Sequence, residues 1–207
     1  MNHIHKYYPI GIPYLREDFS GYQKLQEILK NESNIRQNDY KNSKWNLFIE
    51  SINSEGYLSK VEDFSINGLP SQIASVEYGS DQIYEDEFQK STRIYISKSL
   101  LSNYYTIYFE SKISFLKLKE FKNPIFQTTI FGLENSSDEQ KELYSSIISK
   151  MQTYFPDCEF VPHDLLMNTL VKGGIPIGQE TGGNLHGYSI FSFLFGHMHY
   201  GDIKVIK

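Results

Sequence analysis

Residues 91–115, STRIYISKSLLSNYYTIYFESKISF, hold runs of β-branched and aromatic residues separated by short polar turns. Such runs favour β-strands. Side chains alternate along a strand, so Tyr104 and Tyr108 share one face while Tyr105 and Phe109 share the other. Because both faces carry large side chains, we expect this strand to lie centrally in a sheet that helices cover on at least one face.

Similar runs extend over Tyr57–Phe131, with SQIASVEYG upstream and NPIFQTTIFG downstream. The segments on either side have helical periodicity instead. Neither a linker nor an internal repeat divides the chain. The sequence therefore predicts one α+β domain over residues 1–207, with a mostly antiparallel sheet packed against several helices.

Two helices are predicted before the sheet. One apolar stripe indicates a helix over Phe19–Lys30, and the polar run at 31–42 is interpreted as a loop. Ser43 is a candidate N-cap for the next helix, which begins with Trp45 and is expected to end near Gly56.

Further helices are predicted after the sheet. Ser136 and Glu139 form a capping-box pattern that begins a helix ending before Pro156. Pro162 opens a shorter helix through Leu166 and Leu170, which Gly173 and Gly174 are expected to end. The apolar spacing within Tyr188–Phe195 suits a buried helix.

Composition excludes several classes of protein. The formal net charge of −5 argues against a nucleic-acid partner, which normally meets a basic patch, and is compatible with a basic protein partner. No signal peptide is recognisable, and no apolar run approaches the roughly 20 residues needed to span a bilayer, so we expect no membrane partner and a cytoplasmic location. The single cysteine, Cys158, excludes an intramolecular disulfide.

An acidic segment at 77–88 is the strongest candidate for interaction. It has five acidic residues and no lysine or arginine, interleaved with aromatic residues and an isoleucine. A solvated acidic loop and a surface that captures a basic partner both fit this pattern. The candidate partner-binding residues here are Glu77, Asp81, Tyr84, Glu85, Asp86 and Glu87.

The glycine-rich run Gly173–Gly187, GGIPIGQETGGNLHG, is a second candidate. It has neither the ending of a Walker loop nor the strand and helix context of a dinucleotide fingerprint, so no cofactor is predicted. A surface loop that contacts a partner is the remaining functional interpretation, with Gln179 and Glu180 as candidate residues.

A metal site is the alternative chemical hypothesis. His197 and His199, two residues apart on a strand, would point to the same side. Their sequence, GHMH, resembles the last motif of calcineurin-like metallophosphoesterases, but the upstream motifs of that family do not occur in this chain. Cys158 and His163 offer a weaker alternative as a nucleophile and its base. Further candidate metal ligands are His163, His186 and Asp202.

Several segments together resemble small immunity proteins encoded beside bacterial polymorphic or contact-dependent toxins. The segments that carry the resemblance are Trp45–Ile49, Val61–Asp63 leading to Leu69–Pro70, Ser97–Phe109 and Tyr188–Phe195. The resemblance implies a non-enzymatic cytoplasmic protein that binds a cognate toxin domain and blocks its activity. The competing class is a metal-dependent hydrolase that uses the C-terminal histidines.

Overall fold

The structure is a computed structural model that describes residues 2–11, 18–54, 61–84, 88–115, 126–132, 136–179, 186–196 and 203–205. The helices are α1 (Asn2–Tyr7), α2 (Ser20–Asn38), α3 (Lys44–Asn53), α4 (Asp138–Tyr154), α5 (His163–Asn168) and α6 (Ile190–Phe195), with a 3-10 turn at Tyr40–Asn42. The strands are β1 (Val61–Asp63), β2 (Ser71–Tyr84), β3 (Phe88–Ser99), β4 (Tyr104–Phe115), β5 (Phe126–Phe131), β6 (Glu159–Phe160), β7 (Leu170–Val171), β8 (Tyr188–Ser189) and β9 (Ile203–Val205).

Seven of the described strands form one sheet in the order β1-β2-β3-β4-β5-β9, and β6 pairs with the start of β4. The pairs from β1 to β5 are antiparallel, whereas β6 and β9 run parallel to their neighbours. The predicted α+β fold with a mostly antiparallel sheet is thus confirmed. The predicted central position of the strand at 104–109 is confirmed as well, because β4 lies between β3 on one side and β5 and β6 on the other.

Helices pack against both faces of this sheet. The front face, which carries Ile73, Tyr95 and Tyr108, packs against α1, α2, α5 and α6. The back face, which carries Val76 and Ile107, packs against α3 and α4. Alternate residues of β2, β3 and β4 therefore enter two separate cores, which explains why these strands have large side chains on both sides.

Helix α2 continues to Asn38, so the predicted loop at 31–42 is wrong. No side chain of this helix is buried beyond residue 29, and the apolar stripe that marks a helix in the sequence ends there. Polar contacts between elements hold the last turns instead. Gln72 Nε2 donates to Glu32 Oε1 at 2.8 Å, and Arg36 forms an ion pair with Asp63 at 3.2 Å.

The capping signals locate the starts of α3 and α4 to within a residue. Ser43 Oγ accepts from the backbone N–H of Asn46, which confirms the predicted N-cap. The capping box of α4 uses Ser137 and Gln140, one residue later than the predicted pair. Glu139 instead accepts a hydrogen bond from Tyr78 at 2.8 Å.

Helices α5 and α6 are shorter than the apolar spacing suggests. Helix α5 ends at Asn168, because Leu170–Val171 pair with Tyr188–Ser189 as a small antiparallel sheet. Ser189 then caps α6 by accepting from the backbone N–H of Ser192 at 3.1 Å. Both helices face the core of the front face.

Candidate functional site

The outer halves of β2 and β3, with the end of β4 paired to β3, extend beyond the part of the sheet that helices cover. On β3, residues 88–93 are half-buried, whereas Ile94–Ser97 are buried. Since neighbouring residues of a strand point to opposite faces, six half-buried residues in succession mean that both faces are partly open. We call residues 77–84 and 88–93 the projecting hairpin.

The projecting hairpin carries an exposed apolar side chain among its acids. Ile83 is 60% exposed, more than any other large hydrophobic side chain that the structure describes. Asp81 lies where the pairing of β2 with β3 shifts between Tyr78 and Gln82. Such irregularities are frequent near functional sites, where they redirect side chains.

Three of the predicted partner-binding residues lie outside the described part of the chain, namely Glu85, Asp86 and Glu87. They connect Tyr84 to Phe88, which are paired across the two strands. The acid run therefore coincides with the hairpin and its connection.

Basic residues from β3 accompany the acids. Glu77 is directly opposite Arg93 in the sheet, and their side chains form an ion pair at 2.8 Å. Lys90 is opposite Gln82. The absence of lysine and arginine from 77–88 therefore does not produce a purely acidic surface once the strands pair.

A charged row crosses three strands on the front face. Arg93 is opposite Glu77 on one side and opposite Glu110 on the other. Tyr95 donates to Glu110 Oε1 at 3.5 Å. Burial raises the pKa of the Glu110 carboxyl, and nearby Arg93 acts in the opposite direction.

The charge row, defined as Glu77, Arg93 and Glu110, was not found from the sequence except for Glu77. Its members come from three strands and stand 16 or 17 positions apart along the chain. Strand register alone brings them together. Each of the three lies an even number of positions from a front-face core residue of its own strand. This spacing identifies the shared face only once the strands and their register are known.

The second group of predicted residues lies around the glycine-rich loop. Gln179 is on the wall of a cavity of about 450 Å³, which is also lined by α2, by the turn at 67–68 and by residues 175–178. Among the described residues on this wall, Lys30 is the one with a charged side chain. Glu180 lies outside the described residues.

The structure does not bring the two groups together. A Cβ atom added to Gly178 of the loop would lie 3.7 Å from the side chain of Leu69, which precedes the start of β2. Strand β2 has 14 residues, and at about 3.3 Å per residue its far end is roughly 40 Å away. A partner in contact with both groups would have to extend along the whole strand.

The histidines do not form a metal site within the described residues. No group of three histidine, cysteine or acidic side chains that could hold a metal occurs there, and His197, His199 and Asp202 lie outside them. His186 is exposed. The hypothesis of a C-terminal metal site therefore stays a prediction.

Cys158 and His163 contact opposite faces of the sheet. Cys158 packs against the back-face core, and burial raises the pKa of its thiol, with a smaller opposite effect from Lys98. His163 stacks on Tyr108 of the front face, with ring centroids 4.0 Å apart. The two side chains therefore do not form a nucleophile and base.

His163 is a core residue. It is 3% exposed, and burial lowers the pKa of its imidazole to about 3. Phe191 of α6 contacts the ring edge to face at 4.9 Å. The imidazole is therefore neutral at physiological pH.

Comparisons with known proteins add no family to these observations. No family model, curated protein or solved structure matches the chain. In the part of the chain that the structure describes, none of the helices has the length and apolar character needed to cross a membrane.

Proposed function

We propose that this protein is an immunity-type binding protein, which neutralises a cognate bacterial toxin domain through direct contact with its projecting hairpin. The observation that carries the proposal is the hairpin itself. Its described side chains are partly open to solvent on both faces, and it combines an exposed isoleucine with a run of acids.

This composition suits a protein interface. Interfaces concentrate their binding energy in a few apolar or aromatic anchors that a polar rim surrounds. Ile83 supplies an anchor, and the acids that flank it in the sequence at 77–87 supply negative charge that attracts a basic surface. Such charges act mainly on the rate of association.

Two side-chain contacts link the base of the hairpin to its surroundings. Tyr78 on β2 donates to Glu139 of α4 at 2.8 Å, and the ion pair of Glu77 with Arg93 links the two strands.

Co-expression with the toxin domain encoded beside this chain tests the function. We expect the chain to rescue host growth and to co-purify with the toxin domain as a stable complex. Failure of both rescue and complex formation with that domain would overturn the proposal.

Charge reversal tests the location of the contact. Changing the three acids at 85–87 to lysine is expected to slow association with the toxin domain by about tenfold at low salt, with a smaller effect on dissociation. The matched control reverses three exposed acids away from the hairpin, Glu27, Asp157 and Glu159, and changes the net charge equally. Equal slowing by both variants would mean that total charge matters and that the hairpin does not.

Removal of the apolar anchor provides an independent test. Ile83→Ser is expected to weaken binding roughly tenfold or more, mainly through faster dissociation. Ile66→Ser is the matched control, because Ile66 is 56% exposed but precedes β2 and lies outside the hairpin. Unchanged affinity in Ile83→Ser would remove the hairpin from the interface.

A further inference from the structure

The front face of the sheet carries hydroxyl groups where it packs beneath α6. The hydroxyl side chains of β2, β3 and β4 that are at most 2% exposed include Ser71, Ser97, Ser99 and Thr106. A buried hydroxyl without a hydrogen bond destabilises the folded state, so each one requires a partner.

Two of the serines have partners in α6. Ser99 Oγ donates to the carbonyl of Leu194 at 2.8 Å, and Ser71 Oγ donates to the carbonyl of Phe195. The last carbonyls of a helix have no partner within the helix, so these serines satisfy them.

Ser97 and Thr106 stand directly opposite each other. Ser97 of β3 and Thr106 of β4 are paired in the sheet, and both side chains are 0% exposed. Neither hydroxyl has a hydrogen-bond partner among the protein atoms that the structure describes. Opposed side chains on one face have Cβ atoms about 5 Å apart, so two hydroxyls there bond either directly or through a bridging molecule, and these two make no direct bond.

A third polar side chain without a partner belongs to the same layer. Neither ring nitrogen of His163 has a hydrogen-bond partner among the described residues. Its ring stacks on Tyr108, which is two residues beyond Thr106 on the same face of β4. His163 is neutral, so one nitrogen donates and the other accepts.

We propose that Ser97, Thr106 and His163 form a buried binding site for an ordered water molecule between the sheet and helices α5 and α6. Buried waters typically make about three hydrogen bonds to groups that have no other partner. A water both donates and accepts, so it satisfies the two hydroxyls and either nitrogen of a neutral imidazole.

In the described part of the chain, the buried polar atoms without a partner are concentrated on the front face of the sheet. Trp45 Nε1 is also buried without a partner among the described residues, but it stands alone in the other core. Among the described residues, five buried side-chain atoms lack a hydrogen-bond partner, and four of them belong to Ser97, Thr106 and His163. A single water accounts for both hydroxyls and one of the two imidazole nitrogens.

Replacement of the threonine hydroxyl tests the site. Thr106→Val keeps the branched shape but removes the oxygen, and we expect the folding equilibrium constant to fall roughly three- to tenfold because a hydrogen bond to the water is lost. Thr106→Ser, which keeps the hydroxyl, and Thr92→Val, which lies half-buried on the neighbouring strand, are the controls. A Thr106→Val variant that is equally or more stable would overturn the proposal, since removal of an unpartnered hydroxyl is neutral or stabilising.

The unmodified protein gives a second, independent measurement. A crystal structure at about 1.5 Å resolution is expected to show a water within hydrogen-bond distance of Ser97 Oγ, Thr106 Oγ1 and one nitrogen of His163. Well-ordered side chains without such density would overturn the proposal. The effect of Thr106→Val is also expected to shrink in a His163→Phe background, because groups that share one partner are coupled.

Discussion

His163 makes the stability of this protein depend on pH in a range where most carboxylates remain ionised. The imidazole is buried between Tyr108 and Phe191, and burial lowers its pKa from the ordinary 6.5 to about 3. Between these two values the unfolded chain binds a proton that the folded chain does not. The contribution of the neutral imidazole to the free energy of unfolding is therefore fully present above pH 6.5. It is lost as the pH falls from 6.5 towards the folded pKa.

The magnitude follows from the two pKa values. Each pH unit below 6.5 lowers the free energy of unfolding by about 1.4 kcal/mol until the folded pKa is reached. Between pH 7.5 and pH 5 the loss attributable to His163 is about 2 kcal/mol. Because pH 5 is well above the folded pKa, nearly all of this loss comes from protonation of the unfolded chain.

The variant His163→Phe isolates this effect. Phenylalanine keeps an aromatic ring between Tyr108 and Phe191 but does not titrate. Urea unfolding at pH 7.5, 6.0 and 5.0, followed by circular dichroism, gives the free energy of unfolding of both proteins. We expect the wild type to lose about 2 kcal/mol more than the variant over this range. Carboxylate effects are common to both proteins and cancel in the difference.

His5→Phe is the matched control, because it makes the same replacement at an exposed histidine of α1. We expect its pH dependence to follow that of the wild type. If His163→Phe and the wild type lost the same stability between pH 7.5 and pH 5, the assignment of His163 as a neutral buried imidazole would be refuted.

Three further predictions concern the fold, and each is checked by urea unfolding. Ser43→Ala removes the acceptor for the Asn46 N–H and is expected to cost about 1 kcal/mol; an unchanged stability would exclude a working cap. Gly187→Ala is expected to cost more than about 2 kcal/mol, because φ is +90° and the added Cβ would lie 2.5 Å from the carbonyl oxygen of Val171; a stabilised variant would contradict this backbone conformation. Met151→Ala removes a fully buried side chain from the back-face core and is expected to cost roughly 2–5 kcal/mol, whereas a cost below about 1 kcal/mol would mean that the core is loosely packed.

Most of the sheet could be predicted from residue patterns because its strands are covered on both faces. At 104–109 every position is large or β-branched, and this reports burial on two sides. Residue patterns did not predict the last turns of α2, where a loop was expected. The residues after Leu29 contact the rest of the protein through Glu32 and Arg36, and single charged residues carry no periodic signal.

At the candidate interface, the sequence predicted where the acids lie but not which basic residues pair with them. Counting charges along the chain identified the acids at 77–87, and the structure places the described ones on a projecting hairpin. The count could not reveal that Arg93 stands opposite Glu77, because strand register depends on which residues the connection and the core align. The sequence therefore locates charges along the chain but does not predict the electrostatic field at the folded surface.

The hydroxyls beneath α6 show why a polar residue in a strand cannot be assigned a role from the strand alone. Helix α6 has only six residues, and both its first N–H groups and its last carbonyls need partners outside the helix. The helix is also buried, so water at the surface cannot supply these partners. Tyr8 donates to the carbonyl of Phe193, and Ser99 donates to that of Leu194. Helix α6 therefore requires these hydroxyls, although Leu194 lies 95 positions after Ser99 in the chain. A short buried helix can exist here only because the sheet beneath it is partly polar.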